Sequence, residues 1–95
     1  MTRSELVEAI ARRKGEFATD DVRIAVSLIL EDMASAIAQG RRIELRGFGA
    51  FRLSHQPERL VRNPRTGATV KIAPRYKARF KAGKQLLQRV QEEEQ

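Results

Sequence analysis

An α+β fold is predicted by three features of the chain. Apolar residues recur at helical spacing through residues 1–40, alternate with a period of two from Arg41, and return to helical spacing after Lys81-Ala82-Gly83-Lys84. The 95 residues make one domain. Its expected layout is a helical dimerisation region (1–40), a sheet (41–54), a two-stranded β-arm (55–75), a return to the sheet (76–80), and a C-terminal helix and tail (81–95).

Thr2-Arg3-Ser4-Glu5 has the form of a capping box, a hydroxyl followed three residues later by a carboxylate. Leu6, Val7, Ile10 and Ala11 follow on one face, and Arg12-Arg13-Lys14 complements the helix dipole before Gly15. A second helix starts at Thr19 with Asp20 and Asp21 in its first turn and stops before Gly40. Its apolar stripe is Val22, Val26, Ile29, Met33 and Ile37, with Ile24, Leu28 and Leu30 lying off it. A helix of about 20 residues that is apolar on more than one face needs cover from more than one side. The first helix is too short to supply it, so a partner subunit in a two-fold dimer is expected. The partner can be an identical chain or a related one.

From Arg41, Ile43 and Leu45 face one way and Arg42, Glu44 and Arg46 the other. Gly47-Phe48-Gly49 makes a tight turn, and Phe51 and Leu53 resume the apolar face. Residues 54–61 stay extended, with Pro57 admissible only on an edge or a projecting ribbon. Arg62-Asn63-Pro64-Arg65-Thr66-Gly67 reads as the tip of the arm. Beyond it Ala68, Val70, Ile72, Pro74, Tyr76, Ala78 and Phe80 occupy one face. Thr69, Lys71, Ala73, Arg75, Lys77 and Arg79 occupy the other. A continuous strand of about 13 residues spans roughly 40 Å, so part of it has to leave a core this small. The last helix carries Leu86, Leu87 and Val90 and ends in the solvated acids Glu92-Glu93-Glu94.

Charge is segregated along this layout. Residues 41–84 hold 13 basic and 2 acidic side chains, while residues 1–40 hold 5 basic and 7 acidic. Concentration of the excess in the arm and its flanks implies a polyanion-binding surface, with nucleic acid favoured over a membrane. No basic amphipathic helix and no apolar run of membrane-spanning length accompanies the charge, and the N-terminus has no signal-peptide core. The absence of cysteine excludes a disulfide framework and fits a reducing compartment, so a cytoplasmic protein is expected.

Catalysis finds no support. His55 is the lone histidine and lies in the extended arm with no nucleophile motif beside it. Asp20, Asp21, Glu31 and Asp32 read as dipole complements and solvent-facing positions rather than metal ligands, and no phosphate-binding loop or zinc motif is present. No cofactor, metal or small-molecule substrate is expected. Duplex DNA is the ligand the arm suits. Arg59, Arg62, Arg65, Lys71, Arg75, Lys77 and Arg79 can follow phosphates along a ribbon. A narrow tip with arginines around Asn63-Pro64 fits the minor groove. Proline is apolar and rigid and lacks an N–H, so Pro64 suits a wedge that kinks the duplex. The plain alternative for the tip is an ordinary turn. A single-strand or RNA module would need stacking aromatics, and the arm offers only Tyr76. An acidic protein partner is a third possibility for the basic arm.

Gly47-Phe48-Gly49-Ala50-Phe51, Arg62-Asn63-Pro64-Arg65-Thr66-Gly67 and Phe80-Lys81-Ala82-Gly83-Lys84 stand in the order and spacing of a known family. Over nearly its whole length the chain resembles the bacterial histone-like DNA-bending proteins, HU and integration host factor. The resemblance implies an intertwined α+β dimer with two β-arms in the minor groove and Pro64 as the intercalating residue. It implies phosphate contacts from Lys81 and Lys84, and a role in nucleoid organisation, transcription, replication and recombination. Ile43-Glu44-Leu45-Arg46-Gly47 is similar to the beta subunit of integration host factor, which implies that Arg46 reaches a base edge with Glu44 positioning it. A same-face strand pair of Glu44 and Arg46 is the alternative. Lys81-Ala82-Gly83-Lys84 is closer to HU, and Leu60-Val61 replaces the small residue and glycine that precede the family's Arg-Asn-Pro.

Overall fold

The computed structural model describes residues 1–93 and divides into two compact units, residues 1–35 and 36–95. In the first, α1 (Arg3–Arg13) packs with α2 (Thr19–Ala38), whose last turn runs into the second unit. The Thr2 hydroxyl accepts a hydrogen bond from the Glu5 N–H at 3.2 Å, so the expected cap forms. Val7, Val22 and Val26 are the buried residues, at 4–6% exposure, with Leu6, Ile10, Ala11 and Leu30 packed around them. The buried stripe of α2 thus runs Val22, Val26, Leu30. Ile29, expected on it, is 58% exposed. Steps of three and four residues are both compatible with a helical face, and the line taken by α1 selects the four-residue step.

The end of α2 is closed by Gly40 at φ +81°. Its N–H donates to the Ile37 carbonyl at 2.9 Å and the Arg41 N–H to the Ala36 carbonyl at 2.9 Å, the two bonds of a Schellman motif. β1 (Ile43–Leu45), β2 (Gly49–Gln56) and β5 (Arg75–Ala82) then form an antiparallel sheet in the order β1-β2-β5. β3 (Arg59–Arg62) and β4 (Thr69–Ile72) form a separate two-stranded ribbon, and α3 spans Lys84–Glu92. Phe80 packs against Phe51 and Phe48, with ring centroids 4.7 and 5.4 Å away. Gly49 has to be glycine here, because a Cβ would lie 2.5 Å from the Lys81 carbonyl oxygen and 2.6 Å from the Phe80 ring. β5 continues through Ala82, so α3 begins at Lys84 rather than at residue 81. Of the acidic tail, Glu92 and Glu93 are exposed, while Glu94 lies outside the described residues.

The long strand expected through residues 68–80 is interrupted at Ala73-Pro74, and its partner at Pro57-Glu58. Gln56 pairs with Arg75 and Arg59 with Ile72, leaving two residues on each strand between the two ladders. The register is therefore unbroken, and Pro57 faces Pro74. At the tip, Asn63 donates to the Ala68 carbonyl at 2.8 Å, which marks 63/68 as a hydrogen-bonded pair. At the base the Gly83 N–H donates to the Phe48 carbonyl at 2.8 Å, which makes 48/83 and, by alternation, 56/75 hydrogen-bonded pairs, so the hydrogen-bond phase changes between the two ladders at Pro57 and Pro74. Neither proline has an N–H to offer, so neither can donate a ladder bond at this joint.

Candidate nucleic-acid interface

The arm is built from the turn outward. Asn63 Oδ1 accepts from the Arg65 N–H at 2.9 Å, and the Asn63 carbonyl accepts from the Gly67 N–H at 2.8 Å. Thr66 Oγ1 accepts from the Ala68 N–H at 3.2 Å, and Gly67 closes the loop at φ +73°. These bonds use side chains and main chain inside the loop, so the tip is ordered although every residue from 57 to 71 is exposed. Pro64 and Arg65 sit at the apex with no ion-pair partner among the described residues.

Register assigns the remaining cations to faces, because directly paired residues point the same way. Arg52 pairs with Arg79, Ser54 with Lys77, Gln56 with Arg75, and Ala50 with Lys81. On the distal ribbon Lys71 pairs with Leu60 and Arg62 with Thr69. Arg52, Arg75, Lys77, Arg79 and Lys81 thus make a cationic row on one face of β2 and β5, and Arg62 and Lys71 a second on one face of β3 and β4. Arg59 stands apart. It pairs with Ile72 and shares the other face with Val61 and Val70. Leu60 is the reverse case, an apolar residue 71% exposed on the cationic face. Glu58 Oε1 lies 3.5 Å from Lys71 Nζ and partly neutralises the row there.

The end of the second unit next to the β1–β2 turn holds an open groove of about 670 Å³. Arg42, Arg46, Lys81 and Lys84 line it together with Glu44, which brings three of the expected body contacts to one place. Glu44 is paired with Arg42 in the DNA-free chain. It accepts from Arg42 Nε at 3.1 Å and lies 3.0 Å from Arg42 Nη2. β1 ends at Leu45, so Arg46 belongs to the turn and is not the next same-face residue of a strand. Two cations of the surface were not expected from sequence. Arg42 shows its place only through the groove, and Arg52 only through the pairing of β2 with β5.

Fold and surface together define a small α+β protein with a two-stranded cationic arm and a basic groove, carrying no cluster suited to a metal among the described residues. The chain belongs to the bacterial DNA-binding protein family, whose model matches residues 1–91. It is 50% identical over 90 residues to integration host factor subunit beta of Halorhodospira halophila, covering 95% of this chain and 88% of that one. The corresponding subunit of Nitrosospira multiformis is 46% identical over 90 residues, covering 95% and 96%. Among solved structures, the Anabaena HU–DNA cocrystal structure superposes with a TM-score of 0.79 at 30% identity, over 95% of this chain and 97% of that one. These are not enzymes, and the α+β class read from the sequence is that of the family. No helix among the described residues is long and apolar enough to cross a membrane.

Proposed function

We propose that this protein is an architectural factor that lays its β-arm in the minor groove of duplex DNA and bends the duplex by inserting Pro64. The observation that carries this reading is the exposed, internally hydrogen-bonded tip at the end of a cationic ribbon. The cations of the arm supply attraction to phosphates without sequence preference, and the apex supplies an apolar wedge. Unstacking a base step costs about a few kcal/mol, which additional phosphate contacts along the bent duplex offset. The HU relative was crystallised with DNA, which supports duplex DNA as the ligand over single strands or RNA. Nucleoid organisation and support of transcription, replication and recombination follow from such bending.

The working species is a dimer. Phe17, Ile24, Leu28 and Ile29 are 57–58% exposed in the single chain. Ile10, Phe17, Val22, Ala25, Val26 and Ile29 line an apolar cavity of about 300 Å³ within the first unit. A second chain removes that surface from water at about 25 cal/mol per Å². The relatives are beta subunits, which supports a related second subunit as the partner.

Replacing Pro64 by Ala tests the wedge. The variant is expected to keep most of its affinity while the bend angle, measured by FRET between duplex ends or by ring closure, decreases. An unchanged bend would overturn intercalation by Pro64.

A further inference from the structure

Arg52 and Arg79 are directly opposed across β2 and β5. The Gly83 N–H donates to the Phe48 carbonyl at 2.8 Å in the same register, so alternation makes 52/79 a hydrogen-bonded pair, with Cα atoms about 5.5 Å apart and the two long side chains within reach of one ligand. Both residues are exposed, and neither has an acidic partner among the described residues. Lys77 and Lys81 flank Arg79 two residues away on the same face, opposite Ser54 and Ala50. Glu58 lies farther out along the chain and is engaged by Lys71. Facing like charges destabilise an antiparallel pair. The sheet thus carries an electrostatic cost at one level that no acid among the described residues relieves.

We propose that Arg52 and Arg79 form a phosphate clamp, one DNA phosphate being held between the two guanidinium groups. A guanidinium presents planar, paired donors to phosphate oxygens, so two facing groups engage one phosphate from both sides. The pair stands between Arg75 and Lys77 on the ribbon side and Lys81 on the groove side. It therefore continues the path of a DNA strand from the arm toward the groove. The clamp rests on the DNA-binding reading above and adds Arg52 to it.

Three variants, Arg52→Ala, Arg52→Glu and Arg52→Lys, are compared with the unaltered protein on a labelled random-sequence duplex across a salt series. Arg52→Ala is expected to weaken binding and to lower the slope of log affinity against log salt by about 0.9 for each phosphate the variant no longer neutralises. Arg52→Glu, which can pair with Arg79, is expected to weaken binding further while raising the melting temperature of the DNA-free protein by about 1–5 °C. Arg52→Lys retains the slope and loses part of the affinity, because an ammonium lacks the paired donors. Stability and affinity moving in opposite directions is the signature of a pair held apart for a ligand. If the unaltered protein binds the duplex but Arg52→Ala and Arg52→Glu leave affinity and slope unchanged, the clamp is wrong and the DNA-binding reading stands. If the unaltered protein fails to bind the duplex at low salt, both are wrong.

Discussion

Asn63 and Gly67 divide the work of closing the arm. The Asn63 side chain holds the Arg65 N–H, and its main chain serves both Gly67 and Ala68. Gly67 supplies the positive φ that returns the chain into β4. A Cβ at Gly67 would meet nothing within 4 Å, so its substitution is costly through the backbone alone. Left-handed backbone costs an L-residue about 1–2 kcal/mol, less for Asn, whose side chain bonds locally. Gly67→Ala is therefore expected to speed amide exchange at Asn63 and Gly67's neighbour Ala68 and to reduce DNA affinity, with Gly67→Asn intermediate. Exchange rates measured by NMR would show this, and equal protection in all three proteins would mean the turn does not depend on glycine.

Among the elements, the ribbon is where local chemistry and function meet. Pro57 faces Pro74 between the two ladders, and neither can donate a main-chain hydrogen bond there. Beyond that joint, β3 and β4 pair only with each other and every residue from 59 to 71 is exposed, so the distal ribbon has no core of its own. A lone two-stranded ribbon is marginal in water. The joint lets this segment tilt without breaking the stronger β2–β5 ladder, as an arm that follows a groove requires. Replacing both prolines by Val restores the donors. The double variant is expected to slow amide exchange at Arg59 and Ile72 and to lower the association rate with DNA measured by stopped flow. Unchanged exchange would show that the missing bonds do not govern the joint.

For the molecule as a whole, the uncovered apolar surface of α2 carries the prediction. Leu28 is 57% exposed in the single chain, so in a monomer Leu28→Glu would change stability by no more than about 0.5 kcal/mol. In a dimer that covers Leu28, the same change places a charge in an apolar interface. Sedimentation at micromolar concentration is expected to show a dimer for the unaltered protein and a monomer of reduced melting temperature for the variant. The unaltered protein's melting temperature should also rise with concentration. A variant of unchanged mass and stability would remove Leu28 from the interface.

Much of this architecture was legible in the chain. The capping box at Thr2, the change of period at Arg41, the turn at Gly47-Phe48-Gly49 and the tip hexapeptide are local signals, set by backbone geometry within a few residues. The cationic character of the arm was legible for the same reason, since charge segregation survives any folding of the chain. What only the tertiary structure decided is which residues face each other. Periodicity reports the faces of one element but not the register between two, so the opposition of Arg52 and Arg79 and of Pro57 and Pro74 appears only once β2 and β5 are paired. Selection of Leu30 over Ile29 depends likewise on where α1 lies, and capture of Glu44 by Arg42 on β1 ending before Arg46. In this protein the sequence by itself determined the elements and the sign of the surface, because both are short-range. The tertiary structure decided the partners, because partners come from segments that meet only on folding.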